Sequence, residues 1–197
     1  MTIKLNLGGG KEWNRPGWEN LEIGLGYDLS KQYLKKFKDN SVDLIYTSHC
    51  IEHLSCDSIH KLFFDIFRVL KINGLIRIVV PDMDIISYIL NTNDKKYLMD
   101  GNETYFTKER AKEPLIEHAK VLIGYVGDHR SFFTFSIINI FLQIAGFQLI
   151  NKLQFAKSSI KELSVIANLN QKGMPLRGFD NSNTKNISLY VEATKNG

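Results

Sequence analysis

A run of three glycines directly after the first predicted strand is the clearest chemical signal in the sequence. Residues 3–7, with the sequence IKLNL, alternate apolar and polar side chains, which predicts a strand, and Gly8, Gly9 and Gly10 follow it. Such glycines let the backbone adopt positive φ angles and approach a ligand closely. Glu22 stands at the end of a second predicted strand, where a carboxylate can accept hydrogen bonds from both hydroxyls of a ribose. The two features together indicate a nucleoside-like ligand.

The glycine spacing argues against two common nucleotide sites. Residues 11–13 supply no third glycine for the dinucleotide fingerprint G-x-G-x-x-G, and no G-K-[ST] follows for a phosphate-binding P-loop. A ligand without a pyrophosphate fits this loop better. The alternative interpretation is a plain glycine turn with Glu22 as a surface charge.

A second polar group, SHCIEHL, follows the strand predicted over residues 42–47. The carboxyl ends of parallel strands meet at one edge of a sheet, so Ser48 and His49 are expected beside the glycine loop. A zinc site could be imagined from His49, His53, Cys56 and His60. Neither C-x-x-C nor H-E-x-x-H spacing is present, however, and we predict no metal site. For His53 we favour a buried histidine that is hydrogen-bonded to the backbone.

A third candidate group is formed by Asp128, His129 and Arg130, just before a predicted helix. A histidine beside an acid and an arginine, near a helix N-terminus, could act as a base or bind a carboxylate or phosphate. A helix cap with surface charges explains the same residues equally well.

The elements that must position these groups alternate between strands and helices. The predicted strands cover residues 3–7, 18–23, 42–47, 75–80, 147–155 and 187–193. The predicted helices cover residues 30–37, 56–70 and 131–145, with further helical residues between 82 and 127. Ser30 is predicted to begin the first helix, and Asn73-Gly74 and Gly146 to end the other two. This alternation predicts an α/β domain with a mostly parallel sheet and an antiparallel hairpin at one edge.

Composition limits the class of protein. A chain of 197 residues with 44% apolar and 23% charged residues is expected to form one globular domain over residues 1–197. A net charge of +4 is too small to favour a nucleic-acid partner. The most apolar stretch, residues 135–147, is shorter than the roughly 20 residues that span a bilayer, so no membrane insertion is expected. Two cysteines and no signal-peptide pattern predict a reducing, cytoplasmic location.

Seven segments in order resemble the class I S-adenosylmethionine (SAM)-dependent methyltransferases. They are KLNLGGG, GWENLEIG, YDLS, DNSVDLIYTSHCIEHL, FRVLKINGLIRIVVPDMD, DHRSFFTFSIINIFLQIAGFQLI and SLYVEATK. They span nearly the whole chain, and they look most like a small bacterial group often found near surface-polysaccharide genes. The resemblance implies a Rossmann-like single domain with a seven-stranded type of sheet and a helical lid over about residues 82–127.

The resemblance also implies a set of cofactor-binding residues. SAM would be held at positions that match the family's motifs: Asn6, Leu7, Gly8, Gly9, Gly10, Glu22, Asp28, Leu29, Ser48 and His49. In this comparison Glu22 meets the ribose, while Asp28 and Leu29 meet the adenine amino group. Ser48 and His49 lie beside the methyl-bearing sulfur. Asp128 and Arg130 fall where many such enzymes contact their substrate.

Three departures from the family pattern affect the expected chemistry. Asn6 stands where the family usually has an acid, although its amide can still form hydrogen bonds. The segment between Gly10 and Glu22 is short, so the first crossover helix should be brief or absent. No Asn/Asp-Pro-Pro-aromatic motif follows Ser48-His49, which argues against methylation of a nucleobase amino group.

We therefore predict an O-methyltransferase acting on a small molecule, a sugar, or a nucleotide-linked or phosphorylated intermediate, with a role in surface-polysaccharide synthesis. The catalytic base is His129 or His49, with His129 slightly favoured, because neutral imidazole is available near pH 7. The resemblance is also compatible with a homodimer. The main alternative is a non-catalytic, methyltransferase-like partner protein, and a nicotinamide-dependent oxidoreductase ranks third.

Overall fold

The computed structural model describes residues 2–92, 128–166, 168–169, 175–177, 179–180 and 187–197. Its strands are β1 (Lys4–Leu7), β2 (Glu19–Leu21), β3 (Val42–Ser48), β4 (Leu70–Pro81), β5 (Leu149–Leu153), β6 (Asn168–Leu169), β7 (Pro175–Arg177) and β8 (Ser188–Thr194). Its α-helices are α1 (Leu29–Gln32), α2 (Cys56–Val69), α3 (Met83–Thr92) and α4 (Phe135–Ala145). Short 3-10 turns lie at Ile23–Leu25, Ile51–His53 and Lys161–Ser164.

The main sheet has the strand order β2-β1-β3-β4-β8-β5. Strands β2, β1, β3 and β4 run parallel, whereas β8 is antiparallel to both β4 and β5. The chain leaves β1 toward β2 on one side and later returns to β3 on the other. The point between β1 and β3 is therefore where the strand order reverses, and ligands of open α/β sheets bind at such a point.

The two faces of the sheet are covered differently. On one face, α2 and α4 bury an apolar stripe that includes Ile59, Phe63, Ile66, Ile138 and Leu142. On the other face, loop residues Trp13, Leu163 and Phe179 pack against Tyr46 and Val79 of the strands. Strand β4 is consequently buried on both faces over residues 75–80, as its nearly continuous apolar sequence predicts.

Several predicted elements are confirmed. The parallel strands β1 to β4, the amphipathic helix α2 and the antiparallel edge pair β5 and β8 all form where they were expected. Gly146 ends α4 with a left-handed φ of 114°. No helix connects β1 to β2, as the short segment after Gly10 requires.

Several boundaries differ from the prediction, and helix α1 ends at Gln32, five residues before its predicted end at residue 37. Asp28, not Ser30, is the N-cap of α1, because its carboxylate accepts hydrogen bonds from the Ser30 amide and hydroxyl. The Asn73-Gly74 pair does not end α2, since β4 begins at Leu70 and contains both residues. Helix α4 starts four residues later than predicted, where the Thr134 side chain accepts a hydrogen bond from the Ile137 amide.

The predicted lid over residues 82–127 stays a prediction. Helix α3 forms within its first residues, and residues 93–127 lie outside the described part of the chain. Six strands of the predicted seven-stranded type of sheet occur among the described residues. The helices in that same part of the chain lack the length and apolar character needed to cross a membrane.

Candidate functional site

Hydrogen bonds from its backbone amides hold the glycine loop after β1 against the end of β2 and the Glu22 side chain. Gly8 and Gly10 have φ angles of 72° and 77°, which favour glycine. The Gly8 amide donates to the Leu21 carbonyl at 2.8 Å, and the Gly10 amide donates to Glu22 Oε2 at 2.9 Å. The Glu22 carboxylate also accepts a hydrogen bond from the Gly24 amide at 3.3 Å. The predicted ribose acid therefore also holds the glycine loop in place.

Asparagine side chains lie directly under this loop. A Cβ atom at Gly9 would be 2.0 Å from Asn6 Nδ2 and 2.8 Å from Asn20 Oδ1, so no larger residue fits there. Asn20 accepts a hydrogen bond from the Gly9 amide and donates one to the Gly10 carbonyl. The Asn6 amide is buried, and neither of its polar atoms has a hydrogen-bond partner among the described residues. Since an unpaired buried amide is costly, Asn6 is a group that a polar ligand could satisfy.

Cys50, which follows β3, packs against the same loop. A Cβ atom at Gly8 would lie 2.1 Å from Cys50 Sγ. Burial, with added repulsion from Glu52 and Glu22, raises the pKa of the Cys50 thiol to about 12. The thiol is therefore neutral at pH 7 and serves to hold the loops after β1 and β3 together.

This packing leads to a stability prediction for Gly8. Gly8→Ala and Gly17→Ala both place a side chain at a positive φ, 72° and 81° respectively, which costs about 1–2 kcal/mol in each variant. A Cβ at Gly17 meets nothing within 4 Å, whereas one at Gly8 meets Cys50. Urea denaturation should show that Gly8→Ala loses about 1–3 kcal/mol more than Gly17→Ala, the usual cost of overpacking. Equal losses would show that Cys50 moves aside freely.

His49 occupies the end of β3 and connects two polar partners. Its backbone has a φ of 48°, and its amide donates to the Val79 carbonyl at 2.9 Å. Its Nδ1 lies 3.4 Å from Glu52 Oε1, and its Nε2 lies 3.0 Å from Ser188 Oγ. Glu52 is 1% exposed, so this carboxylate is buried beside the imidazole. A carboxylate in this place can orient a histidine and stabilise its protonated form.

The segment that carries His129 is attached to the loop after β3. The amides of Arg130 and Ser131 both donate to the Glu52 carbonyl, at 2.8 and 3.0 Å. His53 Nδ1 lies 3.1 Å from the Asp128 carbonyl oxygen, and the His53 and His129 rings are 4.7 Å apart. Burial is the largest influence on His129 and lowers its pKa, which keeps its imidazole neutral at pH 7.

The structure thus joins the segment after β3 to both of the other predicted groups. Cys50 packs against Gly8 of the glycine loop, and the Arg130 and Ser131 amides donate to the Glu52 carbonyl. His53 is exposed, not buried as predicted, although it does contact a backbone oxygen. The set considered for zinc is not assembled: Cys56 is exposed at the start of α2, and the His60 ring packs edge-to-face against Phe141.

The remaining predicted residues have the following places. Asp28 is partly exposed, and hydrogen bonds from Ser30 are the largest cause that lowers its pKa. Leu29 packs in the core, so only its backbone could meet a ligand. Ser48 is the last residue of β3, and Asp128 and Arg130 are exposed.

Sequence reasoning missed two residues that organise the site. Asn20 was not singled out because asparagine in a short strand carries no distinctive pattern. Glu52 lies three residues after His49 and directly after the apolar Ile51. This three-residue spacing between a histidine and a carboxylate is the sequence signal that could have identified Glu52, which the structure buries in the 3-10 turn Ile51–His53.

The family comparison adds a match over part of the chain. Residues 19–78, from β2 into β4, match the family described as a methyltransferase domain. No curated protein sequence matches the chain significantly.

Solved structures with the same fold include three with TM-scores above 0.5. A SAM-dependent methyltransferase from Archaeoglobus fulgidus has a TM-score of 0.54 at 15% identity, over 98% of this chain and 86% of that one. A chain from the complex of the Haloferax volcanii Trm112 methyltransferase activator with a methyltransferase has 0.51 at 12%, over 100% and 83%. The SAM-dependent methyltransferase SibL has 0.51 at 10%, and this chain spans 51% of its length. Residues 19–78 therefore carry the sequence pattern of a methyltransferase domain, within a chain that has the fold of SAM-dependent methyltransferases.

Proposed function

We propose that the chain transfers a methyl group from SAM to an oxygen atom of a small acceptor molecule. The observation that carries this proposal is the buried, unpaired Asn6 amide under the glycine loop, at the point where the strand order reverses. The methyltransferase-domain match and the shared fold support it. Within this proposal the acceptor is a sugar or phosphorylated intermediate, and a role in polysaccharide synthesis rests on the resemblance alone.

The residues of the site fit this cofactor. The Asn6 amide offers a donor and an acceptor that pair with none of the described residues. Gly9, which has no side chain, lies directly above this amide. Glu22 is partly exposed at the end of β2 and is assigned to the ribose hydroxyls. Asp28 and the backbone of Leu29 are assigned to the adenine. When bound, SAM supplies a methyl group already activated by its positively charged sulfur.

The contacts of the two candidate bases favour His49. A hydroxyl acceptor must lose its proton, and His49 has a buried carboxylate at Nδ1 to stabilise the imidazolium that results. Its 3.0 Å contact with Ser188 shows that Nε2 can reach a hydroxyl group. Burial of His129 disfavours its charged form, which makes it the weaker base. If the acceptor oxygen is already anionic, the exposed Arg130 is the assigned anchor.

A thermal-shift experiment tests the cofactor assignment. We expect S-adenosylhomocysteine to raise the unfolding temperature, because a ligand that binds only the folded state stabilises it, and NAD to leave it unchanged. The reverse result would favour the oxidoreductase. Stabilisation by S-adenosylhomocysteine without methyl transfer to any member of a panel of hydroxyl, phosphate and amine acceptors would favour the non-catalytic partner protein.

Glu22→Ala provides a sharper test of the ribose contact. Loss of a charge-assisted hydrogen bond costs roughly 1.5–3 kcal/mol, so affinity for S-adenosylhomocysteine should fall by about 10- to 150-fold. Glu19→Ala is the matched control, since Glu19 is an exposed acid at the start of the adjoining strand β2 and pairs with Lys36. Isothermal titration should show no change for Glu19→Ala. Parent-like affinity in a folded Glu22→Ala protein would remove Glu22 from the cofactor site.

A further inference from the structure

A second group of side chains meets at the outer edge of this site. Glu52, His53 and His129 each offer one ligand atom, and these three atoms all lie within 4.8 Å of one another. Carboxylate oxygen and imidazole nitrogen are common ligands of Zn²⁺ and of other first-row divalent metals. Within the described residues, this is the group of histidine, cysteine and acidic side chains close enough to share an ion.

The backbone holds these three residues in one place. Glu52 and His53 belong to the same 3-10 turn after β3, whereas His129 lies 76 positions further along the chain. Hydrogen bonds from the Arg130 and Ser131 amides to the Glu52 carbonyl, and from the Ser131 hydroxyl to the Leu54 carbonyl, fix the second segment against the first. The juxtaposition of the three side chains therefore follows from the fold and does not depend on the side chains themselves.

The Glu52 carboxylate is an independent reason to expect a cation. It is 1% exposed, and neither oxygen accepts a hydrogen bond from the described residues. Within the described residues its ion-pair contact is with His49 Nδ1, at 3.4 Å, and a histidine compensates a negative charge only when it is protonated. Buried charges in proteins are normally paired or coordinate a metal.

We infer that Glu52, His53 and His129 bind one divalent transition-metal ion, with Zn²⁺ as the best-fitting class. A ligand set of two nitrogens and one oxygen suits Zn²⁺, Co²⁺ or Ni²⁺ better than Mg²⁺ or Ca²⁺, which prefer oxygen alone. Three protein ligands also leave a coordination position for a further ligand, as in catalytic zinc sites. This inference does not depend on the proposed function, because metal binding can be measured without a methyl donor or acceptor.

Only small movements are needed to form the site. Ligand atoms about 2.1 Å from a tetrahedral ion are roughly 3.4 Å apart, so the group must close by about an ångström. His53 is exposed and His129 is half-buried, which leaves both rings room to turn. The Glu52 side chain is buried, so we expect the two histidine rings to move toward it.

A metal titration of the tag-free full chain, stripped of metal with a chelator, tests the inference. Zn²⁺ is titrated against a chromogenic competitor, and Co²⁺ binding is followed by its visible absorption. We expect one equivalent to bind, and we expect His53→Ala and His129→Ala each to weaken the binding at least about tenfold. Because neither ring is fully buried, both variants should fold, which circular dichroism would verify.

Another histidine provides a matched control. His60→Ala should bind Zn²⁺ within about threefold of the parent, since His60 lies outside the group and contacts Phe141. Glu52→Gln, which keeps the shape and removes the charge, should also bind at least about tenfold more weakly if it folds. The inference is overturned if the parent binds no Zn²⁺ at about 100 μM, or if either His53→Ala or His129→Ala retains the parent's affinity.

Discussion

Replacement of His49 by alanine is expected to lower turnover by about 100- to 10,000-fold, the usual cost of removing a general base. The imidazole is placed at the end of β3 with a buried carboxylate at Nδ1 and a hydroxyl within reach of Nε2. The side chain is therefore held in one orientation, and it can accept a proton from an acceptor hydroxyl. Steady-state kinetics with an acceptor found in the panel would measure the loss.

Two further measurements separate catalysis from binding in this variant. Affinity for S-adenosylhomocysteine should stay within a few-fold of the parent, and the acid limb of the pH–rate profile should disappear. Glu52→Gln should lower turnover less than His49→Ala does, because it removes the carboxylate beside Nδ1 and leaves the imidazole in place. A variant that only damaged the packing would lower the rate without moving the limb.

The other histidines complete the comparison. His60→Ala, on the face of α2 that contacts Phe141, should keep parent-like turnover. If His49→Ala also keeps it, proton removal by His49 is wrong, and the acceptor oxygen is already anionic. In that case Arg130→Ala should raise KM for the acceptor, because Arg130 is then the assigned anchor.

Most of the fold could be predicted because it depends on local periodicity. The apolar spacing of Ile59, Phe63 and Ile66 is enough to define α2 and its buried face. The apolar run over residues 75–80 is enough to define a central strand. The helix caps were harder to predict, because Asp28 and Ser30 are both good N-cap residues. Only the structure shows that the Asp28 carboxylate accepts the hydrogen bond that caps α1.

The candidate site was less predictable because its contacts join distant segments. The pattern placed His49 and the glycine loop at one edge of the sheet, as the structure confirms. It could not show that His129 lies against His53, since that contact depends on backbone hydrogen bonds between residues 52 and 130–131. Nor could it show that Gly8 faces Cys50, a contact that makes Gly8 a structural position whatever ligand lies near it.

Arg77 is the clearest example of a long-range interaction that the sequence conceals. It interrupts the apolar run of β4, yet its side chain is fully buried. Its guanidinium donates to both carboxylate oxygens of Asp180, to Glu192 at 3.0 Å and to the Lys157 carbonyl at 2.8 Å. Asp180 in turn accepts a hydrogen bond from the Ala156 amide at 2.7 Å. The network ties two separate segments, around residues 157 and 180, to the face of the sheet opposite α2.

Asp180→Ala is therefore expected to lower the free energy of unfolding by about 3–5 kcal/mol, since it leaves a buried charge partly unpaired. Asp39→Ala is the matched control. It removes a partner of Arg68, whose side chain is 32% exposed, and surface pairs of this kind contribute about 0–1 kcal/mol. Urea denaturation of both variants, with the midpoint and slope fitted together, measures the difference.

The Arg77 network also predicts how the stability losses of two substitutions combine. Arg77→Met should also be strongly destabilising, because it leaves Asp180 and Glu192 without their common partner. The double variant Arg77→Met/Asp180→Ala should cost less than the sum of the single variants, since it removes the charge that each single variant leaves unpaired. Additive costs, or a loss for Asp180→Ala as small as that for Asp39→Ala, would mean that water or a shift of the loop satisfies Arg77. The segments around residues 157 and 180 would then be held to the sheet by apolar packing, chiefly that of Phe179 against Tyr46 and Trp18.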